Sequence, residues 1–319
     1  MLQAFELKNG HLAEVHPQDA GQYNKGQPIW IDIVAPSVEE QAWIAQTYHL
    51  ALPQPEHLRD IEASARFYEE DHGLHLRSDF LLGKGMNAHS VTVAFILCGP
   101  VLFSVHQESL PIFQWLQKRT HAQAGEMADS KDVLIDLYAM DVEYSADALE
   151  EVYADLEHVS QAVLAPSLSD ENAASVLSSI AQAEDMNGRI RRNVMDTRRA
   201  VSYLMRSKIL SHEQMEESHQ ILQDIDSLDG HTAFLFDKIN FLMGSTVGFI
   251  NVNQNKIVRL FSVVSAALLP PMLIASIYGM NFHQMPELSW QLGYPYALLL
   301  MALSVVLPFW YFRHKGWLK

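Results

Sequence analysis

The chain is short of residues that several classes of protein require. Among its 319 residues Cys98 is the only cysteine, so neither an internal disulfide nor a cysteine-based zinc site is expected. The first ten residues, MLQAFELKNG, lack the basic and apolar segments of a cleavable signal peptide. The motifs GxGxxG, GxxxxGK[ST], HExxH and GxSxG are absent as well. We therefore expect no organic cofactor and no enzymatic activity.

Acidic residues are almost absent from the C-terminal quarter. Only Glu287 of the 38 acidic residues lies after position 241, whereas five of the 22 basic residues do. Residues 1–241 therefore carry 37 acidic and 17 basic residues, a net charge of -20, and the rest of the chain carries +4. An acidic surface repels nucleic-acid phosphates and is compatible with the accumulation of cations, although a well-solvated surface explains the same charge. We expect no nucleic-acid partner.

Two apolar runs in this quarter contain no charge. Residues 260–277 and 293–312 are each about long enough, as helices, to cross a hydrocarbon core of roughly 30 Å. Tyrosines and tryptophans stand at the borders of both runs, as they do in membrane-spanning helices. A single run could be a buried helix of a soluble protein. Two in succession predict a pair of transmembrane helices surrounded by lipid.

Lysine and arginine are missing from the loop between the runs, residues 278–292. Lys256 and Arg259 precede the first run, and Arg313, Lys315 and Lys319 follow the second. Positively charged flanks favour the cytoplasmic side of a membrane. We therefore predict a two-span protein of the inner membrane, with both termini in the cytoplasm and the loop facing outward.

Before the apolar runs the sequence changes from strand patterns to helix patterns. Hairpins are predicted around Asn9-Gly10 and near Gly99-Pro100, and a buried strand in PIWIDIV. Ser37 and Glu40 form a capping box for a helix that continues to about His49.

The predicted fold class is therefore an α+β membrane protein in three parts. Residues 1–130 form a cytosolic α/β domain, and residues 131–259 form long cytosolic helices including a stalk, interrupted near Ala165-Pro166. Residues 260–319 form the two spans and the short loop between them. No strong helix breaker separates Ser211 from Ile277 before the pair Pro270-Pro271. We therefore expect the stalk helix to continue into the first span.

Steps of three and four residues along this helix define one polar stripe. Its members are Gly248, Asn251, Asn255, Val258, Ser262, Ser265, Leu269, Met272 and Ser276. Polar side chains are costly against lipid, but they are also common where membrane helices pack together. Two helices cannot enclose an aqueous path. Either several copies surround a shared axis with the stripe inward, or there is no pore.

The YGMNF and MPEL elements between the two spans carry a resemblance to a known family. Together with FWYFRHKGWLK, which closes the second span and the chain, and the upstream MDTRRAVSYLMR, they resemble the CorA magnesium channel family over essentially the whole chain. The resemblance implies a homopentamer with a pore-lining first span and a peripheral second span. It places a ring of Gly279, Met280 and Asn281 at the outer mouth, as a selectivity filter for hydrated Mg²⁺.

The implied function is magnesium uptake, with cobalt and nickel open as further cargo. Mg²⁺ loses its water shell reluctantly, so Asn281 carbonyls that accept hydrogen bonds from its waters suit a filter. Glu287, repeated in each subunit, would concentrate cations at the mouth. Asn281 is also a good residue for a helix C-cap, and it could have both roles.

The family also implies that cytosolic magnesium, bound between subunits, favours the closed state. Asp224 and Asp226 are our candidate regulatory ligands, although solvated helix faces explain the same residues. Gln220 occupies the position of a stalk aspartate of some members, and Val258 that of a frequent gate methionine.

Two alternatives stay open. The first is a transporter of zinc or another divalent metal in the same superfamily, with possible proton coupling. The second is an acidic cytosolic enzyme or sensor that uses the two spans as an anchor.

Overall fold

The computed structural model describes residues 1–8, 10–15, 28–53, 66–70, 73–122, 127–164, 170–280, 283 and 285–316. The chain divides into two compact units. The sheet unit comprises Met1–Ser167 and Ala174–Met243, and the span unit comprises Leu168–Ala173 and Gly244–Lys319.

A mixed sheet forms the centre of the sheet unit. Its strands are β1 (Leu2–Lys8), β2 (His11–Val15), β3 (Trp30–Val34), β4 (Phe67–Glu70), β5 (Gly73–Leu82), β6 (His89–Cys98) and β7 (Val101–His106). Within the described ranges the order is β2-β1-β3-β7-β6-β5-β4. The central pair β3 and β7 is parallel, and the other neighbours are antiparallel. Nearly every residue of β3 and β7 is buried, as is typical of parallel strands covered on both faces.

The local predictions in this unit are confirmed. Strands β1 and β2 pair as the predicted hairpin, with Gly10 at φ 80°, although Asn9 lies outside the described residues. Strands β6 and β7 form the second hairpin, which turns at Gly99 with φ 58°. Both turns use the positive φ that glycine adopts without steric cost. The strand predicted in PIWIDIV is β3.

Helix α1 (Val38–Tyr48) begins at the predicted capping box. The Glu40 backbone N–H donates to Ser37 Oγ at 3.2 Å, and the Ser37 backbone N–H donates to Glu40 Oε2 at 2.8 Å. The helix ends at His49, whose φ of 52° is left-handed. Ile44 is its buried residue and joins the core that also contains Ile31, Ile96 and Phe103.

The acid-rich segment FYEEDHG begins on the edge strand β4, Phe67–Glu70. Phe67 is buried and pairs with Leu76 of β5, whereas Glu69 and Glu70 are exposed. The two acidic side chains are tolerated on this edge strand because they are exposed to solvent. Asp71 lies outside the described residues.

Long helices follow the sheet, as predicted from about residue 131. They are α2 (Pro111–Ala122), α3 (Ser130–Leu164), α4 (Asp170–Arg206), α5 (His212–Tyr278) and α6 (Gly293–His314). The expected interruption at Ala165-Pro166 lies outside the described residues, between α3 and α4. Helix α5 has 67 residues and continues through Pro270 and Pro271, which confirms a single helix from the stalk into the first span. The α+β fold class is confirmed.

Helices α5 and α6 are the described helices long and apolar enough to cross a membrane. Only 11% of the most apolar window of α5 and 6% of that of α6 are buried. The core helix of a soluble protein would be mostly buried. The apolar side chains of these segments are therefore not buried by the chain itself. Contact with lipid and with further subunits would bury them.

Candidate functional site

The polar stripe of α5 is exposed along its whole length. All nine positions predicted from the sequence are exposed in the single chain. Between Val258 and Tyr278 the buried or half-buried residues lie elsewhere around the helix, and they are Val263, Ala266, Ala267, Pro270, Pro271, Ile274 and Tyr278. At 3.6 residues per turn, the stripe from Val258 to Ser276 and this covered side are centred roughly 150° apart. The stripe thus points away from the covered side of α5.

One serine of the stripe, Ser262, is adapted to a helix in an apolar environment. Ser262 Oγ donates to the Val258 carbonyl oxygen at 2.8 Å, a bond within the helix. The hydroxyl proton is therefore satisfied without a neighbouring chain. The oxygen keeps lone pairs that can accept a hydrogen bond from a water molecule. This chemistry suits a surface along which a hydrated cation passes.

The GMN motif begins where α5 ends. The Gly279 N–H donates to the Ala275 carbonyl at 3.0 Å, and the Met280 N–H donates to the Ile277 carbonyl at 3.2 Å, so the last turn tightens. A Cβ on Gly279 would lie 3.2 Å from the Ala275 oxygen, which is close for any side chain. Gly279 and Met280 are exposed. The predicted filter residue Asn281 lies outside the described residues.

The loop before α6 is a series of tight turns that carries Glu287. Residues Pro286–Ser289 form one turn of 3₁₀ helix, in which Ser289 Oγ donates to the Pro286 carbonyl at 2.8 Å. The Trp290 N–H then donates to the Glu287 carbonyl at 3.4 Å, and the Gly293 N–H to the Trp290 carbonyl at 3.0 Å. The Glu287 side chain is exposed. Within the part of the chain that the structure describes, it has no ion-pair partner.

Aromatic residues mark both ends of α6. Trp290 and Tyr296 have ring centroids 5.8 Å apart near its first turn. In its last turns Trp310 stacks on His314 at 6.0 Å, and Lys315 Nζ lies 5.6 Å from the Tyr311 ring centroid. Amphipathic rings beside basic groups are typical of membrane–water interfaces.

The candidate regulatory acids do not meet within one chain. Asp224 and Asp226 are exposed on either side of the buried Ile225, and side chains two residues apart on a helix do not face each other. Asp226 Oδ1 pairs with Arg198 Nη1 at 2.7 Å, and Asp224 Oδ1 accepts a hydrogen bond from Gln220 Nε2 at 3.3 Å. Among the described residues no group of three or more His, Cys, Asp or Glu could hold a metal ion. The regulatory role of both acids stays a prediction.

Sequence reasoning missed a buried acid between α3 and α4. The Asp141 carboxylate accepts hydrogen bonds from Asn193 Nδ2 at 2.9 and 3.0 Å and from Thr197 Oγ1 at 2.7 Å. Burial raises the pKa of Asp141 to about 7, although these hydrogen bonds act to lower it. Among the residues that the structure describes, Asn193 Oδ1 is buried without a hydrogen-bond partner.

A second buried acid ties α4 to the sheet. Asp196 Oδ1 pairs with Arg66 Nη1 at 2.6 Å, and Asp196 Oδ2 accepts the Asp79 backbone N–H of β5 at 2.8 Å. Burial raises the pKa of Asp196 to about 6, against the lowering effect of Arg66. Asp196 and Thr197 both lie in the segment MDTRRAVSYLMR. The signal in the sequence was only an acid at a position that helical periodicity places on the buried face.

The fold and the two exposed apolar helices define a membrane protein with a large soluble part of mixed α/β structure. A family model described as "CorA-like Mg2+ transporter protein" matches residues 25–314. The chain therefore belongs to this family, which confirms the resemblance, and the family consists of transport proteins and not of enzymes.

Full-length relatives and solved structures agree with this assignment. The chain is 40% identical, over 319 residues and 100% of both sequences, to "Magnesium transport protein CorA" of Escherichia coli (strain K12). It is equally identical, with the same coverage, to the protein of that name from Pasteurella multocida (strain Pm70).

The complete CorA magnesium transporter of Methanocaldococcus jannaschii aligns with a TM-score of 0.81 at 18% identity, covering 100% of this chain and 99% of the other. The full-length CmaX protein aligns with a TM-score of 0.70 at 16% identity, covering 99% and 97%. At these identities the two structures show the shared fold alone.

Proposed function

We propose that this chain is the subunit of a magnesium channel of the inner membrane, which admits Mg²⁺, and with it cobalt or nickel ions, into the cytoplasm. The observation that carries the proposal is the exposed polar stripe on the side of α5 away from its covered face. It occurs in a chain that is 40% identical, over its full length, to proteins named for magnesium transport. Membership of the family supports Mg²⁺ as the transported ion, and the stripe is the surface along which the ion would pass.

The stripe favours assembly around an axis. An exposed polar face in the middle of a membrane is costly against lipid, and two helices per chain cannot shield it. Copies of α5 that turn their stripes toward one axis remove this cost and line an aqueous path. The family resemblance supports five copies. Both termini then lie in the cytoplasm, since the loop 278–292 lacks lysine and arginine.

Ion selection is assigned to the outer end of this path. Gly279 and Met280 follow Tyr278, the last residue of α5, and Asn281 comes next in the chain. A ring of neutral Asn281 carbonyls accepts hydrogen bonds from the coordinated waters of Mg²⁺ without removing them, and it releases the ion readily. The exposed Glu287 adds one negative charge per subunit nearby, which raises the local cation concentration.

Regulation is assigned to the acidic sheet unit. Because Asp224 and Asp226 do not face each other on α5, each would need ligands from a neighbouring subunit to hold Mg²⁺. An ion that binds the closed state more tightly shifts the population toward that state. Cytosolic magnesium thus acts as a closing ligand in this proposal.

The test compares variants of Asn281 in a host that requires magnesium uptake. Asn281→Ala removes one water-accepting carbonyl from every subunit, so uptake should fall to the level of the empty host. Asn281→Asp creates a ring of charges that holds cations more tightly, so uptake should slow. Gln291→Ala, an exposed change in the same loop, is the matched control and should transport normally.

Assembly is checked for each variant by the size of the detergent-purified protein. Loss of one C-cap side chain is a local change at the end of a 67-residue helix, so the pentamer should persist. Normal uptake by an intact Asn281→Ala pentamer would refute the filter and leave Asn281 as a cap. Uptake of zinc in preference to magnesium would favour the other branch of the superfamily.

A further inference from the structure

Gly293, the first residue of α6, lies against the backbone of Glu287. A Cβ built on Gly293 would overlap the Glu287 carbonyl oxygen and lie 3.3 Å from its carbonyl carbon. The same Cβ would be 3.9 Å from Trp290 Cβ. Gly293 is buried, although its neighbours Leu292 and Tyr294 are exposed. No side chain fits at this position unless the turn that carries Glu287 moves.

The requirement for glycine at this position comes from space and not from backbone conformation. Gly10, Gly83, Gly85, Gly99 and Gly316 have positive φ, but Gly293 does not. Any residue could therefore adopt its backbone angles. What excludes a side chain is the closeness of the Glu287 carbonyl.

This contact joins a loop of short turns to the first residue of a regular helix, α6. The turns from Glu287 to Gly293 are held by two backbone bonds, and one of them, Trp290 N–H to the Glu287 carbonyl, is long at 3.4 Å. The Tyr296 N–H donates to the Leu292 carbonyl at 3.0 Å, so regular helical bonding starts at once on the other side. Packing against Gly293 therefore fixes the Glu287 turn on the start of α6.

We infer that Gly293 is a positioning residue for cation attraction: its missing side chain seats the turn that presents the Glu287 carboxylate at the outer mouth. The inference rests on the proposed function, in which the Glu287 carboxylates concentrate Mg²⁺. A side chain at 293 pushes the Glu287 carbonyl away, and the carboxylate moves with its backbone.

The experiment measures initial Mg²⁺ influx into liposomes that contain the full-length protein, as a function of external Mg²⁺. The variants are Gly293→Ala, Glu287→Gln and the double variant. Gly188→Ala is the matched control, because a Cβ at this exposed helical glycine would meet no atom within 4 Å. Each series is run at about 0.01 M and about 0.5 M monovalent salt, since screening shortens from roughly 30 Å to a few ångströms in this interval.

Both single variants should raise the half-saturating Mg²⁺ concentration at low salt, on the order of tenfold for loss of the charge. The maximal flux should not change, and the difference from wild type should vanish at high salt. The double variant should match Glu287→Gln alone, because a residue that acts through Glu287 has no further effect once the charge is gone. A purely structural role would instead lower the maximal flux at both salt concentrations.

Each contrary outcome is distinct. A normal half-saturating concentration for an assembled Gly293→Ala protein, with Glu287→Gln altered, overturns the inference and leaves the proposed function. An unaltered Glu287→Gln variant refutes the role of Glu287 in the proposed function and the inference with it. If Gly293→Ala does not assemble alone, mixed pentamers with wild-type subunits are measured. Failure to enter even these would assign Gly293 to assembly and contradict positioning.

Discussion

Replacement of Asp141 by asparagine should stabilise the protein above neutral pH, although it alters a buried, hydrogen-bonded carboxylate. Burial raises the pKa of Asp141 from 3.8 to about 7. A raised pKa contributes stability below the unfolded value, and this contribution is lost as the pH rises through about 7. At about 1.4 kcal/mol per pKa unit, the ionised carboxylate costs at most about 4 kcal/mol at pH 8.

Asparagine removes this cost because it carries no charge at any pH. Its carbonyl can accept the Thr197 hydroxyl, which now donates to Asp141 Oδ2 at 2.7 Å. Asn193 Nδ2 donates to both Asp141 oxygens, so the new amide needs the Asn193 amide to turn over by 180° and present Oδ1 as an acceptor. Among the described residues this Oδ1 is buried without a hydrogen-bond partner. The new side chain therefore uses the Thr197 donor and an acceptor that the turned Asn193 supplies.

The assay is thermal unfolding of the detergent-purified protein, followed by near-UV circular dichroism at pH 5 and pH 8. We expect Asp141→Asn to raise the midpoint by about 5 °C or more at pH 8, and to change it by no more than about 2 °C at pH 5. Glu150→Gln, an exposed change on the same helix, is the control and should show no such difference. Asp196 is present in both proteins, but its charge raises the pKa of Asp141, so the two titrations are coupled and the comparison measures the pair.

A lower midpoint for Asp141→Asn at pH 8 would refute this reasoning. It would show that Asn193 and Thr197 stabilise the ionised carboxylate by more than burial costs. An equal shift at both pH values would show that Asp141 does not titrate between them.

Three further predictions concern ion pairing, topology and regulation. Arg66→Met leaves Asp196 buried without its cation, so chemical denaturation at pH 8 should show a loss of about 3 kcal/mol, and an unchanged midpoint would mean that the pair is not formed. Ser289→Cys in a Cys98→Ala background should react with a membrane-impermeant maleimide added outside intact cells, whereas labelling only after lysis would reverse the proposed orientation. Millimolar Mg²⁺ should protect the purified protein from protease, and less so in Asp224→Ala/Asp226→Ala. A double variant that responds like wild type would exclude these two residues as the sensor.

Much of the fold follows from local sequence signals. The hairpin at Gly10, the turn at Gly99 and the capping box at Ser37 each depend on residues within a few positions, so the sequence predicts them. The continuity of α5 was predictable because no strong breaker precedes its two prolines. The parallel pairing of β3 with β7 depends on segments about 70 residues apart, and no short pattern encodes it.

The functional sites likewise divide into those that local sequence signals predict and those that depend on long-range contacts. Periodicity located the stripe of α5, and the resemblance located the GMN and MPEL elements. Asp141 and Asn193 are 52 positions apart and meet only when α3 packs on α4. No local pattern in either segment therefore predicts their contact. The need for glycine at 293 is likewise invisible in the sequence, because it depends on where the Glu287 carbonyl lies.

In our proposal, copies of this chain form the path for Mg²⁺ without any other protein. The most direct test of this claim is the flux of Mg²⁺, followed with a fluorescent indicator, into liposomes that contain only the purified full-length protein. We predict rapid entry driven by an inward magnesium gradient, with little entry in matched liposomes that carry Asn281→Ala. Entry no faster than into protein-free liposomes, for a correctly assembled protein, would contradict the account.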